Sequence, residues 1–182
     1  MLDYLKIIHK YITPGTELYR FYMIHVTLVT SKALKIGNEL KLASKQLEFI
    51  EEASMLHDIG ICKVDAPEMG ASGKLPYITH IIEGQKILQK ENLPKHAQVA
   101  LNHIGIGITK EEIIERALPL PPKNIKVETI EEKIISYADL FFSKDPESIW
   151  NEKTPHEVET ELSKYGVDNV NIFHFWQKEL VQ

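Results

Sequence analysis

One cysteine, Cys62, among 182 residues closes no disulfide within the chain and builds no Cys-rich zinc cage, so a reducing, cytoplasmic setting is the default. Arginine is almost as scarce, with only Arg20 and Arg116, which leaves a buried carboxylate few strong side-chain partners. A positive excess is missing too. Lys and Arg total 21 against 26 Asp and Glu, a net charge of −5 that argues against duplex nucleic acid or an anionic membrane surface as the main partner. The uncharged stretch Phe21 to Ser31 falls far short of the roughly 20 apolar residues of a membrane span. Asp3 ahead of Lys6 does not lay out a signal peptide. No internal repeat, low-complexity tract or sheet-forming alternation of apolar and polar residues is found. What is present is a globular composition, 43% hydrophobic and 26% charged, with eight histidines.

The periodicity is helical nearly throughout, which predicts an all-α fold in a single domain spanning residues 1–182. A first helix runs from Leu2 to Ile12 and stops at Thr13-Pro14-Gly15; a second runs from Thr16 to Ile36. A third, Lys45 to Asp58, is closed by Gly60 in the position where a helix end favours a left-handed residue. Lys63 to Leu75, with Pro67, Gly70 and Gly73, reads as an irregular loop near a site. Pro76 and Pro94 each start a helix, running to Asn92 and His103, and Gly105 and Gly107 end the second of these. Thr109 and Thr129 open two more, to Ala117 and Phe142. Two short helices around Gly166 complete the chain after Thr154.

His25 has Leu18, Phe21, Tyr22, Leu28 and Val29 at helical spacing, which puts the imidazole on a core-facing stripe. A lone core histidine needs nothing more than a carbonyl partner. Asp139, flanked by apolar residues in Ile134 to Phe142, is harder to account for, because a buried carboxylate is costly without a cation or strong donors. A metal ion would satisfy both. His57 and Asp58 are adjacent at a helix end, where side chains about 100° apart converge only on something above the terminus and the dipole favours a cation. His103 repeats that arrangement, and His80 lies one turn beyond Pro76. Imidazoles and carboxylates without thiolates suit Mn, Fe, Co, Ni or Zn, and Mg less well. Asp58 can bridge two cations, and six candidate ligands suit one or two divalent ions, a pair lying roughly 3.5–4 Å apart.

In order, His25, His57-Asp58-Ile59-Gly60 and Asp139 resemble the H…HD…D pattern of the HD-domain superfamily of metal-dependent phosphohydrolases, in its HDIG spelling. His80-Ile-Ile-Glu-Gly-Gln-Lys-Ile-Leu and the stretch from His103 to Thr109 are similar to further motifs of small stand-alone HDIG proteins. The resemblance implies an HD-domain bundle of about seven to nine helices, with a metal-binding core over residues 16–144 and a helical extension over 145–182. It implies His25, His57, Asp58 and Asp139 as ligands of a one-metal form, His80 and His103 as the additions of a two-metal form, and Asp58 with His57 as the catalytic pair. Asn102 stands where cyclic-dinucleotide phosphodiesterases of the superfamily commonly have a first histidine, and no GYP signature follows, which argues against cyclic-di-GMP. Ile61 and Cys62 occupy the neighbourhood in which nucleotidase members carry a glutamate.

The expected activity is hydrolysis of a nucleotide or another small phosphate ester by a metal-activated water. A di-iron oxygenase would use the same donors, and a non-catalytic nucleotide-binding sensor would keep the ligands without turnover. Lys63, Lys74 and Lys32 are candidates for phosphate contact, each against the alternative of an ordinary solvated lysine. His9, His96, His156 and His174 lie outside the pattern, with His96 expected to face solvent beside Lys95. Phe173, Phe175 and Trp176 read as core or as contacts of a homodimer, or as an aromatic wall for a base.

Overall fold

The computed structural model describes residues 2–181, and among these the chain forms nine α-helices and one two-residue-deep ribbon. α1 (Tyr4–Tyr11) starts at Asp3, whose carboxylate accepts from the Lys6 amide. α2 (Glu17–Glu39) starts at Thr16, whose hydroxyl accepts from the Tyr19 amide, and it runs three residues past the expected end at Ile36. α3 (Ser44–Leu56) ends immediately before the His57-Asp58 pair. α4 (His80–Lys90) follows a 3₁₀ turn, Tyr77–Thr79, so Pro76 starts the turn and His80 heads the α-helix. α5 (Pro94–Asn102), α6 (Lys110–Glu115), α7 (Ile130–Asp139), α8 (Pro155–Ser163) and α9 (Val167–Leu180) match the remaining expected segments within a few residues.

Three of the local expectations are corrected. Gly60 is not a left-handed cap; it sits inside a 3₁₀ turn, Ile59–Lys63, and is absent from the residues with positive φ. What it needs is room: a Cβ there would lie 2.0 Å from the His80 carbonyl oxygen and 2.4 Å from the Gly84 amide nitrogen. The turn bearing the HD pair is therefore seated directly on the backbone of α4. The segment from Lys63 to Leu75 is more ordered than a plain loop, because β1 (Asp65–Ala66) pairs antiparallel with β2 (Ala71–Ser72) around a 3₁₀ turn, Pro67–Met69. His96 is buried rather than solvent-facing, its Nε2 3.3 Å from Glu52 Oε2 and its ring edge-on to Phe49. The i, i+4 position of Ala100 beneath it marks the buried stripe of α5, and adjacency to exposed Lys95 does not fix a helical side chain's direction.

The apolar side chains fall into three clusters that meet around the candidate site. Along α2, Tyr22 and Val26 belong to a cluster with α1, the end of α3 and the ribbon, whereas Val29 and Ala33 belong to one with α7, α8 and α9. His25 sits at the junction. Phe173 and Trp176 are core, with Phe173 stacked on Tyr137 at 5.5 Å and 16°, while Phe175 is exposed. The third cluster joins Ile81 of α4 and Leu101 of α5 to Ile113 and Ile125.

Two buried hydrogen bonds hold the elements that carry ligands. The Tyr22 hydroxyl donates to the Met55 carbonyl at 2.7 Å, tying α2 to the last turn of α3. The Asn102 amide donates to Glu132 at 2.9 Å, tying α5 to α7. Glu132 also accepts from the Glu128 amide, so its carboxylate holds two segments at once.

Candidate metal centre

Four helix termini or turns and one helix interior deliver the six candidate ligands to one place. His25 comes from the middle of α2, His57 and Asp58 from just past α3, His80 from the start of α4, His103 from just past α5, and Asp139 from the last residue of α7. Three overlapping groups have ligand atoms all within 4.8 Å of one another: His25, His57 and Asp58; His57, His103 and Asp139; and Asp58, His80 and His103. All six predicted residues are thus brought together. Asp58 belongs to two of the three groups, one with His25 and His57 and one with His80 and His103, as a carboxylate serving two ions would.

Three of the four imidazoles are set in one tautomer by the backbone. Nδ1 of His57 donates to the Ser54 carbonyl at 2.6 Å, that of His80 to Tyr77 at 2.8 Å, and that of His103 to Ala100 at 2.9 Å. Each is a bond to the carbonyl three residues earlier, available because each histidine follows or begins a helical turn. With Nδ1 carrying the proton, Nε2 presents a lone pair. The Nε2 atoms of His80 and His103 then face each other at 3.2 Å as two acceptors, which is repulsive unless something positive lies between them. Ligand atoms at bond lengths of about 2.0–2.1 Å from one cation are separated by about that distance.

Several atoms here have no hydrogen-bond partner although they are buried: both ring nitrogens of His25, His57 Nε2, Asp58 Oδ1 and Asp139 Oδ1. His25 Nε2 approaches Asp139 Oδ1 to 3.0 Å, and His57 Nε2 approaches the same oxygen to 3.6 Å, without hydrogen-bond alignment. Unpartnered buried donors and acceptors are costly, and this many at one point fit a divalent cation.

The electrostatics agree. Burial lowers the basicity of His25 and His103 and pushes that of His80 down to about 3, so these rings are neutral near pH 7, as ligands must be. For Asp58 and Asp139 burial works against the charge, but the Lys144 ammonium outweighs it and holds both well below the usual carboxylate range. Two carboxylates against one ammonium leave a net negative charge in a nearly closed site.

Lys144 is the residue that sequence reasoning missed. Its Nζ lies 3.1 Å from Asp58 Oδ1, its side chain only 15% exposed. Burial opposes its charge, yet Asp58, Tyr77 and Asp139 raise its pKa above the ordinary lysine range. The signal available was its place five residues after Asp139 and just before Asp145-Pro146, inside the turn that must leave the site. The lysines singled out instead lie elsewhere. Lys32 pairs with Glu152 at 2.7 Å with its Nζ 3.8 Å from the Phe141 ring centre, and Lys63 and Lys74 are exposed at the open end of the ribbon, one before β1 and one after β2. None of the three forms an ion pair or hydrogen bond with the six candidate ligands among the described residues.

Lys144 also borders a cavity. This cavity, of about 270 Å³, is lined by Glu68, Met69, Tyr77, Lys144 and Asp145, and the Tyr77 ring stands 4.9 Å from that of His80.

This fold and cluster define a class, and the sequence agrees: residues 22–142 match the family model for the HD domain, and the chain belongs to that family. Among its relatives, it is 34% identical over 126 residues to a tRNA (cytidine(56)-2'-O)-methyltransferase of Thermoplasma volcanium, covering 68% of this chain and 32% of that protein. It is 39% identical over 108 residues to an uncharacterised protein of Methanocaldococcus jannaschii, covering 56% of each. The chain therefore spans about a third of the methyltransferase and little more than half of the second relative. In fold it is similar to the HD domain of the L. monocytogenes phosphodiesterase PgpH in complex with cyclic-di-AMP, with a TM-score of 0.55, 16% identity and coverage of 96% and 97% of the two chains. Among the described residues no helix is long and apolar enough to cross a membrane.

Proposed function

We propose that this protein is a metal-dependent phosphohydrolase that cleaves a nucleotide or another small phosphate ester at a dinuclear centre. The observation that carries this reading is that Asp58 is shared by a His25–His57 group and a His80–His103 group. In this reading His25, His57, Asp58 and Asp139 hold one divalent ion, and Asp58, His80 and His103 hold the second. When bound, such ions supply Lewis acidity toward phosphoryl oxygens and activate water.

The chain's own residues do the rest. The carbonyls of Ser54, Tyr77 and Ala100 keep His57, His80 and His103 in the tautomer that offers Nε2. Asp58, fully buried and charged, fixes the centre of the site, and His57 beside it is the other member of the catalytic pair. In this reading the cavity beside Lys144 is the entrance, Tyr77 and Met69 narrow it and exclude bulk water, and the Tyr77 ring offers a face to a base. The phosphodiesterase PgpH, whose HD domain has this fold, binds the nucleotide cyclic-di-AMP, which favours a nucleotide here. The methyltransferase relatives share about a third of their length with this chain, so methyl transfer is not part of this reading. A reducing, cytoplasmic setting suits the free Cys62 thiol.

The test is phosphate or nucleotide release from a panel of phosphomonoesters, mononucleotides and linear and cyclic dinucleotides, with Mn, Fe, Co, Ni, Zn or Mg. Turnover that depends on metal and disappears, together with bound metal, in Asp58→Ala is the expected result. Two irons with dioxygen consumption and no phosphate release would replace it with the oxygenase. Tight nucleotide binding without turnover at any metal loading would replace it with a sensor.

A further inference from the structure

The acceptor that holds Lys144 is also the one on which the second group of ligands converges. Asp58 Oδ1 lies 3.1 Å from Lys144 Nζ, 3.4 Å from His80 Nε2 and 3.7 Å from His103 Nε2. On the other flank His25 and His57 approach Asp139 Oδ1 instead. The ammonium thus shares its acceptor oxygen with the His80–His103 group, and it stands 5.9 Å from the centre of the Tyr77 ring, which lies 4.9 Å from that of His80. A monovalent ammonium and a divalent ion cannot share that space, because like charges a few ångströms apart in a nearly dry site repel strongly.

Lys144 also has somewhere else to go. It lies in the turn between α7 and α8, outside any helix, and its side chain borders the 270 Å³ entrance cavity. Two carboxylates, Glu68 and Asp145, line that same cavity and would receive the ammonium when it turns outward. Tyr77 flanks its path, with the ring centre 5.9 Å from Nζ.

We propose that Lys144 is a built-in cation that competes with a divalent metal for the Asp58–His80–His103 group. The chain then holds one ion tightly and takes a second only when Lys144 swings into the entrance. This rests on the metal-centre reading above and adds the device that sets its occupancy. An outward ammonium in the entrance also meets the phosphoryl group of an incoming substrate, so loading the second ion and preparing the substrate subsite become one event.

The experiment is a titration of metal-free protein with Co(II) alone, following stoichiometry and both affinities by equilibrium dialysis, for wild type, Lys144→Met, Lys144→Arg and Lys144→Met/His80→Ala. Wild type is expected to bind one ion tightly and a second weakly. Lys144→Met is expected to bind the second roughly tenfold tighter or better, Lys144→Arg to stay within about threefold of wild type, and the double variant to lose the gain. In wild type with ¹⁵N-labelled lysine and Zn(II), the Lys144 Nζ signal should move with the second equivalent and not the first. Equal second-site affinity in wild type and Lys144→Met would overturn the competition, as would loss of metal binding in Lys144→Met alone or a Lys144 signal that moves with the first equivalent. Failure of wild type to bind any ion would instead overturn the metal-centre reading and take this proposal with it, whereas normal binding without phosphate release would leave the competition standing and refute the hydrolase.

Discussion

Substituting Gly60 by alanine tests the link between the HD turn and α4. The added methyl would start 2.0 Å from the His80 carbonyl oxygen and 2.4 Å from the Gly84 nitrogen, whereas real Cβ contacts essentially never fall under 3.0 Å. Both obstacles are backbone, one at the first residue of α4 and one a turn further on, so the seam must open by about an ångström. No side chain can yield in their place. Overpacking of this kind costs about 3 kcal/mol, the upper part of its usual range. For a chain of this size that lowers Tm by roughly 6–12 °C. Moving the start of α4 also moves His80, so the variant should lose affinity for the second metal equivalent before the first. Thermal and urea unfolding of the metal-free protein isolate the first effect, and Co(II) stoichiometry reads the second. Gly60→Asn distinguishes the cause: a left-handed position would tolerate Asn better than Ala, while a steric one makes Asn the worse of the two. A Tm within about 2 °C of wild type for Gly60→Ala, or Asn milder than Ala, would refute the close-packing argument.

Three other outcomes follow from the same contacts. His80→Ala should leave one tightly bound ion per chain and remove the second, read by metal analysis after dialysis; two unchanged equivalents would exclude His80 from the set. Tyr22→Phe removes the buried bond to the Met55 carbonyl and should lower stability by about 1–2 kcal/mol in urea unfolding, without changing metal stoichiometry. His96 is depressed below its ordinary value of 6.5 by burial, only partly offset by Glu52. Its unfolded form therefore takes up protons that the folded form refuses, so its contribution to stability is present above about pH 6.5 and is lost as pH falls below that. Wild type minus His96→Gln, compared in urea at pH 7.5 and in steps down to 5.5, should show this slope, and parallel curves would contradict it.

Helical periodicity, Pro and Gly punctuation and threonine caps carry most of the element boundaries, because they act within a few residues. Thr109 and Thr154 close capping boxes with Glu112 and Glu157 as such spacing predicts. At Thr129 the equivalent Glu132 instead spends its carboxylate on Asn102 and the Glu128 amide, a choice made by a helix 30 residues away. The same contact gives Asn102 a role, a lock between α5 and α7, that its position beside His103 does not disclose.

The six His and Asp residues were legible in the sequence because imidazoles and carboxylates on a core-facing stripe, as at His25, or at helix ends, as at the other five, are chemically conspicuous in any fold. Lys144, the buried face of His96 and the reason for Gly60 were not. Each depends on what another segment brings near it: Asp58 for the lysine, Glu52 for the histidine, the His80 carbonyl for the glycine. Sequence by itself determined the chemistry available and the local helices that carry it, since both are properties of residue type and short spacing. Only the tertiary structure decided which cation faces Asp58 and how the HD turn seats on α4, because those are distances across the fold, set by packing.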